Sequence, residues 1–517
     1  MHWADVIADD LLKDDKKHIL ATGITPSGPI HIGNMREVLT TDAVFRSVVK
    51  KDGDAEFIYI ADDFDNLRKV YPFLPKTYEK YVGMPLSEIP CPCKKHDSYA
   101  DHYLFSFLNS LKELGINPTV YRANQMYKTG MFKDAIQTAL DNTDKIKNII
   151  ENISKRQLPK NWIPFNIKCE RCNKITTAKP LLYNFPYVEY SCDCGYEGKV
   201  DIREGGVGKL PWRVDWPARW KILGVTYEPF GKDHGAAGGT HETGVKIAKD
   251  IYNYDAPKYT MYEFILLKGK GAMHSSKGTA LSAEEMLKMT PPEVLRFLLM
   301  NNQPNKHIQF DPGLGVLNLV DEYDQFERVY FKEEEEIKGM KDLERTYELS
   351  RPYELPKKIP LQIPYRHLVT LIQIGENWDD IKNILLRTNQ IPKDISKKDE
   401  DHIRQRVEHA QFWLDNFAPE MLKFKVKKQL PDQKLEEEQL RYLKSLLKNI
   451  EKIKWDAEEI HNIIYDTTQK EKIKTKTAFK TIYQIILGRE KGPRAGFFLS
   501  NLDREFVLKR IKEAIEK

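Results

Sequence analysis

Residues Ala21 to Val49 read ATGITPSGPIHIGNMREVLTTDAVFRSVV, and they contain a join between a strand and a helix. The apolar run that leads in, His18 to Ala21, has the character of a short buried strand. Gly23, Pro26, Gly28 and Pro29 then punctuate a turn. Beyond it, Ile32, Met35, Val38, Leu39, Val44, Phe45 and Val48 recur at helical spacing. His31, Gly33 and Asn34 therefore sit at a helix start, where free N–H groups and the positive dipole end favour phosphate. Gly33 lets a nucleotide approach the backbone, and His31 can donate a hydrogen bond to a phosphate oxygen. With 13 histidines and 28 glycines in the chain, an H-x-G triplet is expected about once by chance. Its placement, not its letters, carries the weight.

The whole chain has 517 residues, enough for roughly two to four domains. A hydrophobic content of 41% with 30% charged residues fits a soluble globular protein. No apolar run reaches the roughly 18 residues of a membrane span, so no membrane partner is expected. The opening MHWADVIADDLLKDDKK lacks the apolar segment of a secretory signal, so a cytoplasmic location is expected. A net charge of +5 permits RNA binding through local basic patches without arguing for it. The charge run Lys332 to Lys338, KEEEEIK, reads as a solvated helix face.

From the N-terminus, strand and helix patterns alternate. Glu56 to Ala61 is a second buried strand, followed by Asp62, Asp63, Asp65 and Asn66 at its carboxyl end. Helix signals return over Tyr103 to Leu114, and Thr119 to Arg122 forms a short strand. This βαβα order predicts an α/β fold with a parallel, doubly wound sheet. Ligands of such sheets bind beyond the carboxyl ends of the strands, where His31 and the acidic cluster lie. Loop capping is the plainer role for those aspartates.

Two cysteine groups interrupt the pattern. Cys169 and Cys172 pair with Cys192 and Cys194, and four thiolates complete a tetrahedral structural zinc site. CPCKKHDSYADH offers Cys91, Cys93, His96 and His102 for a second zinc, against a loop with incidental thiols. Both groups fall in a region, 84–205, that interrupts the sheet domain. A closed four-ligand site leaves no open position for a substrate, so both metals are expected to be structural.

Three later segments carry chemistry. LPWRVDWPARW, Leu210 to Trp220, is either a buried aromatic strip or a pocket wall in which a Trp ring stacks on a ligand. GKDHGAAGGTHETG, Gly231 to Gly244, presents Asp233, His234 and His241 on a Gly-rich loop that opens a helix over Val245 to Ile251. Gly238 and Gly239 would let an adenine or ribose lie against the backbone, and Asp233 could accept from a ribose hydroxyl. ILLKGKGAMHSSKG, Ile265 to Gly278, ends a strand in a loop able to close over a triphosphate and stabilise charge on leaving pyrophosphate.

Taken in order over some 260 residues, TPSGPIHIGN, WRVDWP, the Gly-rich loop and AMHSSKG resemble the signatures of class I lysyl-tRNA synthetases. Asn34 replaces the second His of the first signature. In the last, Ala272 stands where the first Lys belongs and His274 where a Ser belongs, while Met273, Ser275, Ser276, Lys277 and Gly278 match. The resemblance implies a Rossmann-type domain that makes lysyl-adenylate from lysine and Mg-ATP, then transfers lysine to the terminal ribose of its tRNA. It places Pro26, Ser27, Gly28, His31, Gly33, Asn34, Asp233, His234, Gly238, Gly239, Met273, Ser275 and Ser276 around ATP. His31, Asn34, Lys270, His274 and Lys277 face the phosphates. Gly23 and Thr25 face the substrate's α-amino and carboxyl groups, with His234 and His241 nearby. Glu37, one helical turn after Gly33, is the carboxylate for the lysine ammonium, with Trp216 and Tyr262 along its aliphatic stem.

From about residue 355, strand patterns vanish and amphipathic helices dominate, including His402 to Phe417, Glu436 to Ile453 and Ala457 to Ile464. IYQIILGREKGPRAGFFLSNL, Ile482 to Leu502, resembles the C-terminal helix–loop–helix of the same family, whose helical domain holds the anticodon. The expected organisation is a Rossmann first half (1–83), a zinc-binding insertion (84–205), a Rossmann second half (206–290), a helical linker (291–354) and an α-helical anticodon domain (355–517). Partners are tRNA(Lys), L-lysine and ATP, and a monomer is expected. The competing readings are a glutamyl- or cysteinyl-type ligase and an inactive RNA-binding paralogue. A glutamate pocket should present Arg where this chain has Glu37.

Overall fold

The computed structural model describes residues 1–269, 281–335, 340, 342–432 and 434–517, and the backbone of 271–272. The chain divides into two compact units. The first comprises residues 1–287, 292–311 and 335–355, and the second 288–291, 312–334 and 356–517. The span 291–354, expected as one helical linker, is thus shared between them. Long-range packing, invisible in local periodicity, makes that division.

The first unit is built on a parallel sheet. Strand β1 (His18–Ile24) pairs in parallel with β2 (Ala55–Ala61), which pairs in parallel with β3 (Thr119–Arg122). On its other edge β1 continues to Tyr227 and on to Lys258 through parallel bridges. These lead into β4 (Phe230–Gly231) and β5 (Met261–Tyr262), again parallel. The spatial order 3-2-1-4-5 is the doubly wound arrangement, with its reversal between β1 and β4. Because β3 belongs to this sheet, the sheet reaches into the span 84–205 read as an insertion.

The helix Ile32–Lys50 buries Ile32, Met35, Val38, Leu39, Val44 and Val48, the periodic face read from the sequence, while Phe45 is half-buried. Asp42 on the same helix is buried and binds Arg46 at 2.9 Å and Arg296 at 2.6 Å. Arg296 is fully buried and also donates to the carbonyls of Leu349 and Leu114. Residues 178–201 form a three-stranded antiparallel ribbon beside the sheet domain.

The second unit contains no strand among its described residues. Its helices Glu437–Ile450, Ala457–Lys470, Thr475–Leu487, Ala495–Asn501 and Arg504–Glu516 share a core that includes Leu443, Leu446, Ile460, Ile464, Ile482, Phe498 and Ile511. Lys332, read as part of a helix face, instead follows the end of the helix Leu314–Tyr330 with φ of 61°. No helix among the described residues is long and apolar enough to cross a membrane.

Candidate active site

A cavity of about 600 Å³ opens where the strand order reverses, beyond the ends of β1, β4 and β5. Gly23, Thr25, Ser27, Gly28, His31, Gly33, Asn34 and Glu37 line one wall. Gly231, Asp233, His234, Tyr262 and Phe264 line another, and Asn66, Arg68 and Tyr71 contribute from the β2 side.

Glu37 is the acidic group of the cavity wall formed by the helix Ile32–Lys50. Its Oε1 accepts from the Thr22 hydroxyl at 2.6 Å and the Gly23 amide at 3.0 Å, and its Oε2 accepts from the Tyr262 hydroxyl at 2.8 Å. Burial raises its pKa above the usual carboxylate range, against these three bonds. Such a carboxylate, neutralised by no cation among the described residues, suits an incoming ammonium. Thr25, at the next turn of the loop, donates to Asp65 at 2.9 Å, and Asp65 also binds Lys209 at 2.5 Å.

His31 occupies the N-cap of the helix Ile32–Lys50, and its Nδ1 accepts the Gly33 N–H at 3.0 Å. A neutral ring held this way carries its proton on Nε2, a donor suited to phosphate. Gly33 permits the pose, since a Cβ there would come within 2.8 Å of the His31 ring. The backbone that leaves the signature loop is pinned to the same corner. Ile32 N–H donates to Leu281 O at 3.3 Å, and Ala283 N–H to Ile30 O at 2.9 Å. Gly271 and Ala272, at the loop's other flank, pair with Leu267 and Leu266.

Behind the cavity lies a buried polar layer. Arg219 bridges Asp62 and Asp215, and Asp215 accepts the Tyr127 hydroxyl. Asp63 accepts from Arg122 at 2.7 Å and from the Asn124 amide at 2.7 Å. Glu228 accepts both indole N–H groups, from Trp216 at 2.9 Å and Trp220 at 2.6 Å. Burial, with a smaller contribution from the nearby Glu37, pushes its pKa up to about 7 against those bonds.

A family model described as tRNA synthetases class I (K) matches residues 1–353, and one described as an anticodon binding domain matches 401–515. The chain belongs to the class I (K) tRNA synthetases. A lysine–tRNA ligase of Picrophilus torridus is 44% identical to this synthetase over 519 residues, covering 100% of this chain and 99% of the relative. A lysine–tRNA ligase of Archaeoglobus fulgidus is 45% identical, with 100% of both chains covered. A solved glutamate tRNA ligase from Elizabethkingia meningosepticum aligns with a TM-score of 0.48 and 13% identity, over 97% of this chain and 100% of that one.

The synthetase's sequence-predicted residues divide in space. Gly23, Thr25, Ser27, Gly28, His31, Gly33, Asn34, Glu37, Asp233, His234 and Tyr262 converge on the cavity. Pro26, Gly238, Gly239, Trp216 and His241 are not among its lining residues. Trp216 is buried in the helix Trp212–Leu223 and spends its N–H on Glu228, so Val214 to Pro217 of WRVDWP are packed core, while Trp212 is exposed and Arg213 half-buried. His241 lies between Phe230 and Tyr259, and burial together with His234 lowers its pKa to about 4. Lys270, Met273, His274, Ser275, Ser276 and Lys277 lie outside the described residues.

Arg36, Arg68, Tyr71, Lys209 and Glu228 were not singled out from the sequence. Arg36 is a buried cation whose guanidinium reaches the carbonyls of Glu263 at 2.6 Å, Gln303 at 3.1 Å, Pro304 at 2.9 Å and Lys306 at 2.8 Å. Its one sequence signal was a cation beside the apolar Met35, Val38 and Leu39. Lys209 had none, its partner Asp65 in the acidic cluster being 144 residues away.

Both predicted metal-ligand groups assemble. The four ligand atoms of Cys169, Cys172, Cys192 and Cys194 all lie within 4.8 Å of one another, as do those of Cys91, Cys93, His96 and His102. The Cys169–Cys194 and Cys172–Cys192 sulfurs are 3.7 Å apart. Thiolates about 2.3 Å from a tetrahedral zinc stand about 3.8 Å apart, so the spacing fits that ion.

Proposed function

We propose that this chain activates L-lysine with Mg-ATP and transfers the lysyl group to the terminal ribose of tRNA(Lys), in the cytoplasm and as a monomer. Glu37 carries the reading. It is a half-buried carboxylate on the cavity wall, held by Thr22, Gly23 and Tyr262 and lacking an ion-pair partner among the described residues. Lysine docks with its ammonium on Glu37 and Tyr262 and its α-groups near Gly23 and Thr25. Its carboxylate oxygen then attacks the α-phosphorus in line, the bond to pyrophosphate breaks, and pyrophosphate leaves. His31 and the start of the helix Ile32–Lys50 bind phosphate oxygens, with Lys270, His274 and Lys277 supplied by the signature loop. No covalent enzyme intermediate is needed, and positioning and electrostatics supply the rate.

Zinc in the two cysteine-containing groups would act structurally, its ligand sets being complete. In the second unit, a cavity of about 810 Å³ is lined by Arg366, His367, Arg387, Lys454, Trp455, Arg494 and Phe497. Cations around exposed and half-buried aromatics suit single-stranded bases, so this cavity is the candidate anticodon pocket.

The deciding experiment is pyrophosphate exchange with each standard amino acid, with and without tRNA. Exchange with lysine alone, in the presence of tRNA, supports the reading. Folded protein that binds tRNA but exchanges with no amino acid identifies the inactive paralogue, and makes Ala272 the first residue to restore to Lys.

A further inference from the structure

In the proposed function the nucleotide side of the cavity is the loop from Ser27 to His31, and one hydrogen bond to it comes from a residue with no place in the chemistry. The Tyr99 hydroxyl donates to the Ser27 carbonyl at 2.7 Å. Tyr99 is fully buried and begins the helix Tyr99–Glu113. Its own N–H donates to Ile89 O at 2.8 Å, which closes the loop that carries Cys91, Cys93 and His96. His102 follows within the same helix, its Nδ1 3.3 Å from the Cys93 sulfur. Tyr99 thus has its backbone in the Cys–His knot and its hydroxyl on the nucleotide loop.

A second contact grips the same loop. Phe73 packs over Gly28, where an added Cβ would come within 2.8 Å of Phe73 Cζ. The Phe73 ring meets Tyr103 edge-on at 5.9 Å, and Tyr103 meets the His102 ring at 4.6 Å. The lysine end of the cavity is held otherwise, by Thr22, Gly23 and Tyr262 on Glu37. The two ends can therefore be perturbed separately.

We propose that Tyr99 is a positioning residue for the nucleotide: it fixes the Ser27–Gly28 segment at the cavity rim and ties that segment to metal occupancy of the Cys91–Cys93–His96–His102 knot. The inference rests on the proposed function in taking the cavity to receive ATP. Removal of the hydroxyl, or of the metal that orders the start of its helix, loosens the loop that presents His31 and leaves the Glu37 corner in place.

The test uses the full chain. Binding of lysine and of a non-hydrolysable ATP analogue is measured by titration calorimetry for wild type, Tyr99→Phe, Cys93→Ser and the double variant, with metal content by elemental analysis and melting temperature. Loss of one hydrogen bond predicts that Tyr99→Phe weakens analogue binding about 5- to 10-fold, with lysine affinity, metal content and melting temperature unchanged. Cys93→Ser loses the knot's metal and weakens analogue binding at least as much, and the double variant binds no worse than Cys93→Ser. Wild-type analogue affinity in Tyr99→Phe overturns the proposal. So does metal loss in Cys93→Ser without weaker analogue binding, a wild type with no metal at this knot, or a parallel fall in both affinities with a lowered melting temperature. A wild type that binds the analogue but not lysine sinks the functional reading and leaves the Tyr99 comparison decisive. One that binds neither overturns both.

Discussion

The Tyr262 hydroxyl, at the end of β5, donates to Glu37 Oε2 at 2.8 Å across the point where the sheet reverses its order. Two elements 225 residues apart in sequence thereby close one wall of the cavity. The bond orients Glu37 and leaves its carboxylate available to an ammonium from the cavity side.

Glu37→Gln keeps the shape and removes the charge. Leaving a desolvated ammonium without its counter-charge costs about 3 kcal/mol, so the lysine KM should rise about 100-fold with the ATP KM unchanged. Exchange kinetics at varied lysine check this, and equal rises in both KM values would point to a collapsed cavity instead.

For His31→Ala the loss should fall on turnover. Removing a donor to developing phosphate charge predicts a kcat lower by about 100-fold, with lysine affinity nearly kept. Loss of the N-cap bond to Gly33 adds about 1 kcal/mol of destabilisation. Single-turnover rates together with calorimetric lysine binding separate the two effects, and equal losses count against a transition-state role.

Glu228 gives a pH signature. Its pKa in the fold, about 7, lies above its ordinary 4.5, so the folded state holds the proton more tightly than the unfolded chain. The resulting stabilisation is fully present below pH 4.5 and is lost as pH rises through about 7. Its size is at most about 3 kcal/mol. Glu228→Gln retains an acceptor for both indoles and should flatten the melting temperature over that window. A wild-type profile unchanged by the substitution would rule Glu228 out as its source.

Arg36→Met leaves several buried carbonyls without a donor. At about 1–3 kcal/mol for each orphaned acceptor, the first unit should lose more than about 3 kcal/mol. Urea unfolding followed by tryptophan fluorescence measures this, since Trp216 and Trp220 are buried in the sheet domain and report on it.

Phe497→Ala in the second unit removes an exposed aromatic platform beside Arg494. Base stacking of about 1–3 kcal/mol predicts tRNA binding weaker by about 10- to 100-fold, with lysine and ATP binding unaffected. Filter binding at fixed salt is the measurement. Unchanged tRNA affinity would remove this cavity from the anticodon pocket.

Much of the fold was legible because strands β1 to β3 and the helix Ile32–Lys50 are written in local patterns of apolar residues. The periodic face of Ile32 to Val48 is the face that packs, and the four-cysteine and Cys–His groups both close as their spacing implies. WRVDWP was harder. Its tryptophans are as compatible with a pocket wall as with a core, and they divide: Trp216 is buried against Glu228, which lies beyond the end of the helix, while Trp212 is exposed. His241, read as part of a Gly-rich loop, falls in the first turn of the helix Thr240–Asp250, with its ring against Phe230 and Tyr259.

Sequence alone determined what depends on near neighbours along the chain: a strand–turn–helix with His31 at its N-cap, four-ligand cysteine groups, a helical C-terminal third, and the signature order that marks the family. Only the tertiary structure decided which side chains share the cavity. Glu37 meets Tyr262, Asp65 meets Lys209 and Tyr99 meets Ser27 because the parallel sheet and its crossovers return distant segments to one edge. Such pairings are set by packing of the whole unit, and no local spacing encodes them.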